Sequence, residues 1–100
     1  MKYNKEKVEA AKILFAEIIN LNEKLPERME VKLRVDGGRY SKIEVIFWKQ
    51  DESGENGELN FADEDRYQIF LTDEEWHKEF ENSFAEITAK MQEWKELYCK

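Results

Sequence analysis

The chain has 100 residues, 41% of them hydrophobic and 13% aromatic, which gives it the length of one domain, residues 1–100, and excludes a disordered acidic tail. No apolar run reaches the roughly 20 residues of a membrane-spanning helix, and no signal-peptide pattern opens the sequence. The single cysteine cannot form an internal disulfide, which predicts a reducing, cytoplasmic location. The net charge of −7 disfavours direct binding to nucleic acid or to an anionic membrane.

The first predicted element is a helix over residues 5–23. Asn4 is a suitable N-cap, and apolar residues recur at spacings of three and four from Val8 onward. Pro26 disfavours helical geometry in the residue before it, so the helix should end near Glu23.

Two strands are predicted next, over residues 28–36 and 40–49. The first alternates apolar and charged side chains, and the second is rich in β-forming residues. A three-residue loop over 37–39 would keep the apolar side chains of both strands on one face, with Leu33 opposite Ile43.

A second hairpin is predicted from two further alternating segments, residues 58–62 and 66–72. The turn between them would consist of Asp63, Glu64 and Asp65, because an odd loop again separates the apolar and polar faces.

The last predicted element is a helix over residues 73–98. Thr72 and Glu75 have the spacing of a capping box, in which each side chain satisfies the other residue's backbone amide. Aromatic residues then recur at helical spacing and are expected in the core: Trp76, Phe80, Phe84 and Trp94.

The element order is therefore α-β-β-β-β-α, which predicts an α+β fold. The simplest arrangement is a single two-layer domain, with an antiparallel four-stranded meander and both helices on one face. The sequence leaves the strand order open, because the segment from residue 50 to 56 can join neighbouring strands or let the second hairpin cross over.

No motif in the sequence indicates a catalytic, metal or cofactor site. One histidine and one cysteine cannot supply a tetrahedral zinc site, and His77 and Cys99 lie roughly 33 Å apart on one continuous helix at 1.5 Å per residue. His77 is expected at the surface and Cys99 as a free thiol. The loop that begins at Asp51 fails as an EF-hand because Asn56 stands where that loop requires glycine. A non-enzymatic protein without a cofactor is expected.

The most unusual feature is the segment from residue 51 to 75, which contains ten acidic side chains and one basic one, a net charge of −9. Three of those acids fall at the predicted start of the last helix, where negative charge is favourable for structural reasons. The others are candidate partner-binding residues: Asp51, Glu52, Glu55, Glu58, Asp63, Glu64 and Asp65. The structural alternative is a solubilising face.

Three residues with large side chains are predicted on the polar face of the sheet: Tyr40, Ile46 and Trp48. Apolar and aromatic groups on a solvent face are typical of contact surfaces, so these residues are further partner-binding candidates. The alternative is a ladder of cross-strand pairs without function.

Together these features predict a small acidic interaction protein that inhibits a nuclease or another nucleic-acid-handling protein. Its carboxylates would bind a basic surface and act as a nucleic-acid mimic. Small acidic phage anti-defence proteins and toxin-immunity proteins share this physical profile, although no motif connects the chain to either. The alternative is a structural or assembly protein that forms a homodimer or larger homo-oligomer through the exposed sheet face.

Overall fold

A computed structural model describes residues 3–37, 41–50 and 62–99 of the chain. Within them the fold is α+β, as predicted, with two α-helices and a three-stranded antiparallel sheet in the order β1-β2-β3. The elements are α1 (Lys5–Asn22), β1 (Met29–Asp36), β2 (Lys42–Gln50), β3 (Ala62–Phe70), a 3-10 helix (Glu75–Glu79) and α2 (Phe84–Tyr98). None of the helices in this part of the chain has the length and apolarity to cross a bilayer.

Helix α1 begins at the predicted cap. The Asn4 side chain accepts a hydrogen bond from the Lys7 amide at 3.1 Å, which satisfies one of the free N–H groups of the first turn. The residues buried along its inner stripe recur at spacings of three and four: Ala11, Leu14, Ile18 and Leu21. The helix ends one residue before the predicted boundary.

The predicted faces of β1 and β2 are confirmed, but the predicted register is wrong by two residues. Leu33 pairs with Val45 rather than with Ile43, so five residues, 37–41, separate the paired strands. Ser41 lies in this connection with a φ of 33°, and its carbonyl accepts a hydrogen bond from the Leu71 amide at 2.8 Å, which continues the pairing of β2 with β3 by one residue. Because the slip is even, the same side chains stay inside.

The predicted turn at Asp63, Glu64 and Asp65 is wrong, because these residues lie within β3 and pair with β2 along its whole length. The turn contains neither glycine nor proline, and a continuous ladder satisfies more backbone groups than a short hairpin would. Most of the predicted strand 58–62 lies outside the described residues.

One face of the sheet and the inner stripes of both helices share a single core. The buried members contributed by the strands are Met29, Val31, Ile43, Val45, Phe47 and Ile69. Ile87, Met91 and Trp94 of α2 complete the cluster, and the ring of Phe47 packs edge-on against Trp94 at 5.2 Å. We call this the inner face of the sheet and the opposite side the outer face.

The predicted continuous helix over residues 73–98 is wrong. It is divided into the 3-10 helix and α2, which begins after Ser83, whose hydroxyl accepts a hydrogen bond from the Glu86 amide at 3.1 Å. Glu74 rather than Thr72 precedes the 3-10 helix, and it makes no side-chain capping bond there. The capping box at Thr72 therefore does not form.

The free edge of β3 explains the interruption. The Asn82 side chain accepts a hydrogen bond from the Gln68 amide at 3.0 Å, and the Asn82 amide donates to the Gln68 carbonyl at 2.8 Å. Asn82 thus acts as an added strand residue, a role that needs extended rather than helical backbone.

Candidate interaction surfaces

Five of the predicted partner-binding residues lie outside the described part of the chain: Tyr40, Asp51, Glu52, Glu55 and Glu58. Asp63 lies in β3 opposite Lys49, near the end of the sheet from which residues 51–61 depart. The other four predicted residues, Ile46, Trp48, Glu64 and Asp65, are placed in full.

The structure places Glu64 and Asp65 on opposite faces of the sheet, and each has a basic partner. Glu64 on the outer face lies 3.0 Å from the Arg66 guanidinium, whereas Asp65 on the inner face lies 3.1 Å from the Lys90 ammonium of α2. Burial alone would lower the pKa of Lys90, but the hydrogen bond and negative charge of Asp65, with Glu93, outweigh it and raise that pKa. Neither acid stands as an unpaired negative charge.

The outer face of the described sheet carries as many bases as acids. Its four ion pairs each join residues two apart on one strand: Glu30 and Lys32, Arg34 and Asp36, Lys42 and Glu44, Glu64 and Arg66. The distances between the paired nitrogen and oxygen atoms run from 3.0 to 3.7 Å. The formal charge of this set is zero, so it offers no net attraction to a basic partner.

Ile46 and Trp48 lie on the outer face, as predicted, but little of either is accessible. Ile46 is only 9% exposed, and Trp48 is half-buried under the Lys32 ammonium, which sits 5.0 Å from its ring centre. The cation–π contact with Lys32 therefore accounts for the position of Trp48 by interactions within the chain.

A second surface, which the sequence did not indicate, is formed by residues 72–81 at the other end of the sheet. Here the ring of His77 stacks on Phe70 at 4.0 Å and 13°, and its Nδ1 lies 2.9 Å from the Thr72 carbonyl. The expectation of a surface histidine is wrong, since His77 is 3% exposed. His77 therefore holds the 3-10 helix against the end of β3.

Glu81 fixes the far side of this segment. Its carboxylate accepts hydrogen bonds from the Lys7 ammonium at 2.8 and 2.9 Å, and from the Phe70 amide at 2.9 Å. The side chains of Lys7 and Glu81 are 22% and 20% exposed. The segment is thereby tied to both α1 and β3.

Two aromatic side chains of this segment face solvent, contrary to the core position predicted for them. Trp76 is 39% exposed and Phe80 is 56% exposed, and their rings pack edge-on at 6.1 Å. Trp76 is held in place by the ring of Phe70 at 5.3 Å and by a hydrogen bond from its indole N–H to Glu74.

Exposed carboxylates surround this aromatic pair. Asp73 and Glu74 are more than half exposed, Glu75 is 93% exposed at its side chain, and Glu79 is also exposed. Between residues 73 and 81 the sequence has five acids and one base, Lys78. We call the exposed part of this segment, Asp73 to Phe80, the acid-aromatic surface.

The described acids of the acid-rich segment fall in two places, within β3 and on the acid-aromatic surface. Residues 51–61 connect the last residue of β2 to the first of β3, whereas the acid-aromatic surface follows the last residue of β3. The nine residues of β3 span roughly 30 Å at about 3.3 Å each. Asp63, Glu64 and Asp65 near the start of β3 are therefore separated along the strand from the acids that follow its last residue.

No cluster of three or more histidine, cysteine or acidic side chains capable of holding a metal occurs among residues 3–37, 41–50 and 62–99. The Tyr98 hydroxyl accepts a hydrogen bond from the Lys49 ammonium at 3.2 Å. Cys99 is the next residue, so its thiol lies toward the opposite end of the sheet from His77.

Comparison of the chain with protein-family models, curated proteins and solved structures found no match.

Proposed function

We propose that the chain is a non-enzymatic interaction protein that binds a basic protein surface through its acid-aromatic surface. The observation that carries the proposal is the exposure of Trp76 and Phe80, at 39% and 56%, within a rim of carboxylates. Large aromatic side chains are the commonest anchors of protein interfaces. Surrounding acids would steer a partner rich in lysine and arginine toward them.

The aromatic pair is suited to this role because it is ordered before any partner arrives. Phe70 supports one side of Trp76 and Glu74 holds its indole nitrogen. An anchor already fixed in one orientation loses less conformational entropy on binding than a mobile side chain. Phe80 extends the apolar area, and Gln68 holds the Phe80 carbonyl at 2.8 Å.

The partner class that best fits this surface is a nuclease or another nucleic-acid-binding protein. Such proteins present clusters of lysine and arginine for phosphate groups, and carboxylates can occupy the same side chains. The chain would then act as an inhibitor by competing with nucleic acid for those side chains. This is the role expected of a small acidic phage anti-defence or toxin-immunity protein. Trp76 would add an apolar contact that a phosphate backbone lacks.

Quantitative affinity capture from lysate of the native host tests the proposal with four baits: the natural chain, Trp76→Ala, Trp48→Ala, and a Glu75→Gln/Glu79→Gln pair. We expect Trp76→Ala to lower recovery of a basic protein at least about tenfold, because an interface tryptophan commonly contributes 2 kcal/mol or more. The Glu pair should lower recovery less and reduce its sensitivity to salt.

Trp48→Ala is the matched control, because it removes the same side chain from the outer face. It should leave recovery within about twofold, as most surface positions outside a hot spot do. Equal recovery by the natural chain and Trp76→Ala, or a loss confined to Trp48→Ala, would overturn the proposal. The captured protein should also lose its nucleic acid when the natural chain is added in a gel-shift competition.

A further inference from the structure

The edge of β1 that faces away from β2 has main-chain N–H and C=O groups that make no hydrogen bond within the described part of the chain. The Asn22 side chain donates to the Val31 carbonyl at 2.9 Å and accepts from the Val31 amide at 2.8 Å, so Val31 directs both groups away from β2. Alternate residues of a strand share this orientation, so Leu33 and Val35 do the same. The outward N–H and C=O groups of Leu33 and Val35 make no hydrogen bond with any of the described residues.

The other edge of the sheet, that of β3, is blocked at Gln68 and Phe70, whereas the outward main-chain groups of Glu64 and Arg66 have no hydrogen bond among the described residues. On β3 the outward amides of Gln68 and Phe70 are taken by Asn82 and Glu81. Proteins generally block strand edges, because an open edge is a template for another strand. The β1 edge is blocked at Val31, whereas none of the described residues covers it at Leu33 and Val35.

Apolar side chains lie beside the open edge. Val35 is 58% exposed, and Ile19 of α1 is 59% exposed. Phe15, Ile19 and Asn22 are spaced by four and three residues, so they share the face of α1 that meets the β1 edge through Asn22. Strand addition at this edge would bury those side chains as well as satisfy the backbone.

We propose that the occupant of this edge is the β1 edge of a second copy of the chain. The two strands pair antiparallel about a two-fold axis at Val35, with Leu33 of each copy opposite Gly37 of the other. The pairing joins two three-stranded sheets into one sheet of six strands. The two α1 helices then lie on the same face, on either side of the seam.

Charge complementarity supports this register. About Val35, Arg34 of each copy faces Asp36 of the other, which gives two opposite-charge pairs on the outer face. An axis at Leu33 would instead oppose Lys32 to Arg34 and Glu30 to Asp36, which are pairs of like charge. That register would also need the outward N–H and C=O groups of Val31, which are already hydrogen-bonded to the Asn22 side chain.

This surface is separate from the acid-aromatic surface, so the two proposals can fail independently. Light scattering and sedimentation equilibrium over a range of concentrations test the dimer, using the natural chain alone. We expect a concentration-dependent mass that approaches twice 12.1 kDa. A constant mass of 12.1 kDa up to millimolar concentration would overturn the proposal.

Val35→Pro removes the outward N–H at the axis while leaving the bonds to β2 intact, because those are made by the alternate residues. It should weaken dimerisation at least about tenfold, the effect of losing two hydrogen bonds. If circular dichroism shows that this variant is unfolded, Val35→Lys replaces it and places two ammonium groups at the axis. A dimer that persists in a folded Val35→Pro or Val35→Lys variant would contradict the proposal.

The register is tested by charge exchange. Arg34→Asp should weaken the dimer, because it opposes two carboxylates across the seam, and adding Asp36→Arg should restore it. Val35→Thr keeps the N–H and a similar shape, so it is the matched control and should leave the dimer in place. If Arg34→Asp has no effect on the dimer, the Val35 register is wrong.

Discussion

The outer face of the sheet and the acid-aromatic surface show how differently charge can be displayed. On the sheet face four acids and four bases lie in pairs no more than 3.7 Å apart, and Trp48 is half-buried beside them. On the other surface Asp73 and Glu75 lie 3.7 and 3.5 Å from Lys7 and Lys78, but carboxylates still outnumber bases, and Trp76 and Phe80 project among them. The number of charged residues says little about a surface until their partners are known.

The largest loss of stability is expected for a substitution of Phe70, whose ring lies beneath the acid-aromatic surface. Phe70 is 4% exposed and supports both Trp76 and His77, whereas Phe80 is 56% exposed. Phe70→Ala should lower the free energy of unfolding by about 3 kcal/mol, the usual cost of truncating a buried phenylalanine. Phe80→Ala, the matched control, should cost less than about 1 kcal/mol. Urea unfolding followed by circular dichroism measures both.

Equal losses for the two phenylalanine variants would mean that Phe80 is part of the core. The aromatic pair would then be a packing element, and the contrast between the two surfaces would disappear.

A smaller effect is expected from the ion pair that ties the segment to α1. Glu81→Gln keeps an acceptor for the Phe70 amide but loses the charge facing Lys7, so it should cost about 1–2 kcal/mol of stability. Exposed Glu79 makes Glu79→Gln the control, which should change stability by less than about 0.5 kcal/mol. Amide exchange at residues 76–81 should rise in the Glu81 variant. Unchanged exchange would show that the segment is held by its rings alone.

The smallest effect tests the pairing that removes Asp65 from the negative surface. Because Asp65 raises the pKa of Lys90, the stability from this pair is present below the ordinary lysine pKa and is lost as pH rises through the raised value. The natural chain should exceed Lys90→Gln in stability by less than about 1 kcal/mol at pH 8, a small value because Asp65 is largely exposed. The difference should shrink as the pH rises through the raised pKa of Lys90. A constant difference across that range would show that the contribution of Lys90 is not electrostatic.

Much of the fold follows from local sequence, and the errors occur where distant residues decide. The Asn4 cap and the alternation in β1 depend on neighbouring residues, and both were predicted correctly. The connection between β1 and β2 is longer than predicted and includes Ser41, whose carbonyl accepts a hydrogen bond from Leu71 in another part of the chain. No local pattern contains that contact.

The candidate surface was missed for a related reason. Capping-box spacing occurs twice, at Thr72 with Glu75 and at Ser83 with Glu86. A cap at Thr72 predicts one long helix that would place Trp76 and Phe80 in the core. The Ser83 cap is the one that forms, and Asn82 before it is hydrogen-bonded to Gln68 along the edge of β3. A polar Asn82-Ser83 pair within an otherwise aromatic helix was the available signal.

The most direct test of the central claim is a heteronuclear NMR titration of the natural chain with hexa-arginine, a probe with the charge of a basic surface. The account predicts shifts in the Trp76 indole and in amides of residues 73–80 at low salt, with little change at Lys32, Trp48 and Arg66. Shifts as large on the outer sheet face as on the acid-aromatic surface would contradict it, as would an unshifted Trp76 indole.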